Sequence, residues 1–117
     1  SLGVLRRRPS QRWSLKETYV LQQLPLLQLK ILQRASQHVH SGGSLLYATC
    51  SIISQENEQV VDHFITQQNN NNNLHHWEPW SIPNDDINPQ NLRPHCRTLL
   101  PHIHDTDGFF MARWKRK

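Results

Sequence analysis

This chain of 117 residues is short of cysteine, of long apolar runs and, through its middle, of positive charge. Its two cysteines, Cys50 and Cys96, have no C-x-x-C spacing and build no framework, so nothing requires an oxidising compartment. A disulfide between them is disfavoured on the same ground. No stretch approaches the roughly 18 apolar residues that a membrane-spanning helix needs. Ser1-Leu2-Gly3 does not resemble a targeting segment, and no longer apolar region follows it as a secretory signal would require. The reading is a soluble, cytoplasmic protein without a membrane partner. There is no internal repeat.

No Lys or Arg lies between Arg34 and Arg93, and eight of the nine acids fall between Glu56 and Asp107. Positive charge crowds the two ends instead. Arg6, Arg7, Arg8, Arg12 and Lys16 stand near the start, and Arg113, Lys115, Arg116 and Lys117 near the finish. The net charge is +4. If the ends meet in space they form one basic face suited to nucleic acid. If they do not, they are solvated terminal charge.

Residues 1–13 read as a loop, with Gly3, Pro9 and the arginine run. Ser14-Leu15-Lys16-Glu17 has the form of a capping box, which would start a short helix. Pro25 suits the first turn of a new helix. From Leu24, the residues Leu27, Ile31 and Ala35, joined by Leu32 and Val39, predict an amphipathic helix of roughly four turns. Ser41-Gly42-Gly43 ends it and turns the chain. Leu45-Leu46-Tyr47-Ala48 is apolar without alternation, as in a strand covered on both faces. Ser54 is a candidate N-cap for the next helix, with Glu56 at its positive end and Val60, Val61, Phe64 and Ile65 on its apolar face. Gln67 to Asn73, with five consecutive asparagines, cannot bury a core and reads as a flexible surface insertion. Trp77 to Trp80 reads as a brief strand, and the proline-rich stretch 81–101 as an irregular connection. Asp107-Gly108 suggests a turn, followed by a last strand over Phe109–Trp114 and a basic tail.

The most informative segment is Ser44-Leu45-Leu46-Tyr47-Ala48-Thr49-Cys50-Ser51. A strand ends on a cysteine, and a helix signal follows. In an open parallel α/β sheet, ligands bind beyond the carboxyl ends of the strands. A thiol there, near a helix N-terminus, stands where a nucleophile belongs and where its thiolate is favoured. A cysteine taken alone defaults to a small buried hydrophobe; its place at the strand end favours the functional reading for Cys50. Cys96, beside His95, reads as incidental. The fold class is α/β: helix, central strand, helix and a terminal antiparallel pair of strands. One central strand cannot cover both helices, so the inventory is incomplete as an isolated domain.

Several motifs then occur in order: Gly-Val-Leu-Arg-Arg-Arg-Pro at 3–9, Trp13, Gln28 with Ile31-Leu32, Gly42 to Ile52, Glu56-Asn57-Glu58 and Thr106 to Ala112. Together they resemble the carboxyl-terminal part of the Sun family of RNA cytosine-5 methyltransferases, closest to its bacterial members that act on small-subunit ribosomal RNA. The resemblance covers most of the chain, with 66–100 poorly matched. It implies the end of a Rossmann-like class I methyltransferase fold, with residues 1–117 as its carboxyl-terminal part and 67–101 as a variable, partly low-complexity insertion. It implies S-adenosylmethionine as cofactor and RNA, small-subunit ribosomal RNA in particular, as partner. Cys50 falls on the family's Thr-Cys nucleophile. Arg6, Arg7 and Arg8 become candidate RNA phosphate contacts, since guanidinium suits bidentate phosphate binding.

The departures are as informative. The family's second active-site cysteine, in a Pro-Cys motif, would lie just upstream of Ser1, and Cys96 cannot take its place. The Gly-rich cofactor loop and the acidic residue for the cofactor ribose are also absent. The expectation is a fragment that carries the nucleophile and no cofactor-binding residues. The rival reading is a non-catalytic remnant, or a basic RNA-binding fragment. Eight histidines, among them His38/His40, His75-His76 and His102/His104, raise a metal site. They form no complete ligand set with Cys or carboxylate at defined spacing, and none is expected.

Overall fold

The computed structural model describes residues 22–70, 76–83, 93–100 and 108–117. The capping box at Ser14–Glu17, Trp13 and Arg6–Arg8 lie outside the described residues, as do Asn71–Asn73, His75, His102, His104 and Asp107.

The elements run α1 (Leu24–Ser36), β1 (Ser44–Thr49), α2 (Glu58–Asn70), β2 (Trp77–Pro79), β3 (Cys96–Leu99) and β4 (Phe109–Arg116). Pro25 sits in the first turn of α1, where its missing N–H costs no helical hydrogen bond. The helix ends at Ser36, before Val39, which packs against the core from outside it. The buried stripe is Leu29, Leu32 and Ser36. Leu32 and Val39 meet the core as expected, but the stripe of Leu27, Ile31 and Ala35 expected with them is exposed, Ile31 by 61%. Both stripes are spaced for a helix, and a helix apolar on two sides presents to the sheet whichever side tertiary packing selects.

Gly42 has φ +82°, a conformation that favours glycine. At Gly43 a Cβ would stand 2.7 Å from Val39 Cγ1 and 2.9 Å from the His40 carbonyl oxygen. The pair locks the turn onto the far end of β4: Gly42 N–H donates to the Arg116 carbonyl (2.8 Å) and Arg116 N–H to that of Gly43 (2.9 Å).

β4 is the spine of the sheet. β1 pairs with it antiparallel from Ser44 opposite Lys115 to Thr49 opposite Phe110. On its other side β2 and β3 lie end to end, β2 opposite Trp114–Arg116 and β3 opposite Phe109–Ala112, both antiparallel. The expected final strand is therefore longer than Phe109–Trp114, and part of the basic tail is inside it. The stretch 81–101 is not wholly irregular, since β3 lies within it. Four residues with two prolines close by carry little strand signal; the ladder to β4 makes the strand. The polar run from Gln67 is not wholly an insertion either, because α2 continues through Asn70. A helix anchored by core residues propagates into polar sequence at little cost.

The core lies on one face of the sheet. Leu45, Tyr47, Phe110, Ala112, Trp114, Trp77 and Cys96 meet Leu29 and Leu32 of α1 and Val60, Val61 and Phe64 of α2. Phe64 stacks tilted on Trp114 (5.4 Å between ring centroids) and on Trp77 (6.1 Å), within the preferred aromatic range. β1 was expected to be covered on both faces. Its burial alternates instead, with Leu46 62% exposed. Both described helices pack on the core side, so nothing among the described residues covers Leu46 and Ala48. β1 is also an edge strand among the described residues.

Candidate active site

Cys50 follows β1 directly, at a bend, and its side chain is exposed. The residues that shape this bend are buried and polar. Thr49 Oγ1 donates to Asn57 Oδ1 (2.5 Å) and accepts from the Ser51 N–H (3.3 Å). Asn57 Nδ2 donates to the Ser51 carbonyl (2.9 Å), and Ser51 Oγ accepts from the Ile53 N–H (3.2 Å). A hydroxyl that accepts an N–H two residues ahead is a local turn device, and here it closes around Cys50.

The expected cap does not form as foreseen. Residues 54–57 make a turn, and α2 begins at Glu58 rather than directly after Ser54. The Ser54 carbonyl accepts from the Asn57 and Gln59 N–H groups (3.1 and 3.0 Å). Glu58 is the acid in the first turn of α2, while Glu56 is fully buried and faces inward. Glu56 Oε1 accepts from Gln28 Nε2 of α1 (2.9 Å), and its carbonyl accepts from the Tyr47 hydroxyl (2.6 Å). Burial, and next the charge of Glu56, push the Tyr47 phenol well above its ordinary value, so it remains a hydrogen-bond donor. The Glu56-Asn57 pair therefore ties α1, β1 and α2 together directly behind Cys50.

A groove of about 430 Å³ runs from α1 along β1 to Cys50. Its walls include Ile31, Ala35, Leu46 and Ala48, with Gln28, Tyr47 and Thr49 as polar members, and no charged side chain among the described residues lines it.

The second cysteine is in a different setting. Cys96 is 8% exposed, on the core side of β3 opposite Ala112. Burial pushes its thiol up to about 12, with Arg93 opposing and Glu58 and Asp62 adding to the rise. It is a core residue. No group of three His, Cys, Asp or Glu side chains capable of holding a metal ion occurs among the described residues.

The family profile for 16S rRNA methyltransferase RsmB/F matches residues 1–115. The chain belongs to this family. Among its curated relatives, the Probable ribosomal RNA small subunit methyltransferase B of Synechocystis sp. is 35% identical over 117 residues, 98% of this chain and 25% of the relative. That of Bacillus subtilis is 32% identical over 119 residues, again 98% of this chain and 25% of the relative. Two solved structures resemble the fold. PH0851 aligns with a TM-score of 0.74 at 31% identity, over 97% of this chain and 24% of that one. NSun6 from Pyrococcus horikoshii, solved with SFG, aligns with a TM-score of 0.59 at 26% identity, over 79% of this chain and 22% of that one. The fold is thus part of a Rossmann-like methyltransferase domain, and the chain spans about a quarter of the length of these relatives.

Within this RsmB/F segment the bend at Cys50 is built by Thr49, Ser51 and Asn57, whose roles the sequence motifs alone do not mark. In the sequence Thr49 and Ser51 stand only as flanks of the cysteine motif, and Glu56-Asn57 as a motif at a helix start. The available signal was a Thr-Cys-Ser turn followed seven residues after the Cys by a carboxamide, since Thr, Ser and Asn are the side chains that bond local backbone. The basic carboxyl terminus is also engaged rather than free. Arg113 and Lys115 stack on the Trp80 ring, 4.0 and 4.4 Å from its centre, and Lys117 lies 3.6 Å from Glu78. The Arg116 guanidinium donates to the Val39 carbonyl.

Proposed function

We propose that this chain supplies the nucleophile, Cys50, of an RNA cytosine-5 methyltransferase acting on small-subunit ribosomal RNA. The observation that carries the reading is an exposed cysteine at the end of β1, on a bend that buried polar groups define, in a chain of the RsmB/F family. Cytosine carbon 5 is a poor nucleophile by itself. Addition of the Cys50 thiolate to carbon 6 forms a C–S bond and moves electron density onto carbon 5, which is then able to take a methyl group. Loss of the carbon 5 proton to a base lets the C–S bond break, restoring the ring double bond and the thiolate. Such covalent catalysis divides one hard step into easier ones.

S-adenosylmethionine supplies the methyl group in this reading. The described residues do not fit it: the groove beside Cys50 is lined mainly by apolar side chains, and no charged side chain among the described residues lines it to meet the ribose or amino-acid ends. We assign most of its site, and the base for the carbon 5 proton, to sequence upstream of this chain, and read residues 1–117 as the carboxyl-terminal part of a methyltransferase domain, inactive alone. Arg6, Arg7 and Arg8 are proposed as phosphate contacts. The alternative, a non-catalytic RNA-binding fragment, predicts that Cys50 is dispensable in any assembly.

The test is Cys50→Ala in the full-length enzyme, with methyl transfer to small-subunit ribosomal RNA as the readout. Transfer is abolished, and RNA containing 5-fluorocytosine, which cannot lose a carbon 5 proton, is captured covalently by wild type and not by the variant. Wild-type-like turnover by Cys50→Ala would refute the assignment.

A further inference from the structure

We propose that Asn57 is the positioning residue for the Cys50 nucleophile, acting through Thr49 and Ser51; the inference rests on the nucleophile assignment above. The Asn57 carboxamide is 1% exposed and bonds the residues on both sides of Cys50. Its oxygen accepts from the Thr49 hydroxyl and its nitrogen donates to the Ser51 carbonyl, so each end of the amide plays the only role it can. The Thr49 hydroxyl also accepts the Ser51 N–H, which closes a ring of three hydrogen bonds around the cysteine backbone. All three residues are buried, Ser51 completely, so a bond left unmade there has no water to replace it.

Asn57 is itself held firmly. Its N–H donates to the Ser54 carbonyl (3.1 Å) and its carbonyl accepts from the Val61 N–H (3.1 Å). Val61 is 1% exposed, in the core with Val60 and Phe64. The adjacent Glu56 adds the anchors to Tyr47 and Gln28. Rigidity therefore passes from the core through the start of α2 and the carboxamide to the bend, and leaves the Cys50 side chain in solvent with its backbone fixed. A nucleophile that must meet carbon 6 above the ring plane gains from this, since a displacement of about 1 Å costs on the order of a hundredfold in rate.

Only a carboxamide serves both neighbours. An aspartate keeps the bond from Thr49 but sets a second oxygen against the Ser51 carbonyl. The experiment measures kcat and KM for RNA methylation, and the rate of capture by 5-fluorocytosine RNA, in the full-length enzyme. Asn57→Asp and Asn57→Ala are expected to lower kcat and the capture rate together by roughly ten- to a hundredfold, with KM for RNA within about threefold of wild type. Thr49→Val, which removes the hydroxyl at constant shape, gives the same pattern, and Thr49→Ser, which keeps the hydroxyl, recovers most of the rate. A residue needed only for folding would change yield and melting temperature without this split. If the Asn57 variants do not fold, the Thr49 pair decides: equal rates for Thr49→Val and Thr49→Ser overturn the proposal, as does a folded Asn57→Asp within twofold of wild type. Turnover by Cys50→Ala overturns the nucleophile assignment instead, so the two failures are distinguishable.

Discussion

Alkylation of the native protein at pH 8 separates Cys50 from Cys96, and the structure sets the scale of the difference. Cys96 faces the core from β3, 8% exposed, and burial raises its thiol from an ordinary 9.0 to about 12. At pH 8 about one Cys96 thiol in ten thousand is ionised, against about one in ten for a thiol at the ordinary value. Because the thiolate is the reacting species, ionisation alone slows Cys96 by about a thousandfold, and burial against Ala112 slows it further. Cys50 is exposed. The assay is a time course with iodoacetamide, read by peptide mass spectrometry, with and without denaturing urea. The peptide carrying Cys50 is labelled in the native state, and the peptide carrying Cys96 only when the chain unfolds. Native labelling of Cys96 within tenfold of its rate in urea would refute the placement of β3 on the core. Protection of Cys50 would remove the accessibility that a nucleophile needs.

Two further outcomes are expected. Phe64→Ala leaves a cavity between Trp77 and Trp114 and is expected to cost about 3–5 kcal/mol in a urea titration, whereas a loss below about 1 kcal/mol would mean that α2 is not seated on β2 and β4. Stability should form a plateau between about pH 6.5 and pH 9. Burial, then Arg93, hold His95 below its ordinary value, so its neutral form stabilises the fold above about pH 6.5 and that contribution is lost as pH falls through the folded value. Cys96 is raised, so its contribution is complete below 9.0 and is lost as pH rises toward about 12. Thermal melts across pH 5–10.5 check both limbs, and a melting temperature unchanged from pH 9 to pH 10.5 would contradict the second.

The position of Cys50 was legible because its signals are local. A cysteine at the end of an apolar run, after a double-glycine turn, could be placed at a strand end without any tertiary information, and the structure puts it there. The clamp was not legible. Glu56 and Asn57 are polar residues next to a helix start, and in isolation such residues belong on a cap or in water. Their burial depends on Gln28 and Tyr47, residues 28 and nine positions from Glu56, which have no local signature as partners. Arg93 and Asp62, joined at 2.7 Å across 31 residues, tie the approach to β3 onto α2 and were equally invisible.

Short stretches of sequence were enough to foresee the two described helices, β1, β2 and β4, the turn at Gly42-Gly43 and a cysteine at the end of β1. These follow from periodicity, from backbone freedom at glycine and from β-prone runs, all of which act within a few residues. Only the assembled fold set Leu29, and not Leu27 and Ile31, beside Leu32 on the core, joined β1 and β3 as well as β2 to β4, and made Cys96–Leu99 a strand. It also decided that a carboxamide from the start of α2 reaches both neighbours of Cys50. The physical reason is the same in each case. Which apolar stripe is buried, which strands pair and which polar group escapes water depend on partners far along the chain, and they are chosen by the combined packing of the whole sheet face rather than by any short stretch of sequence.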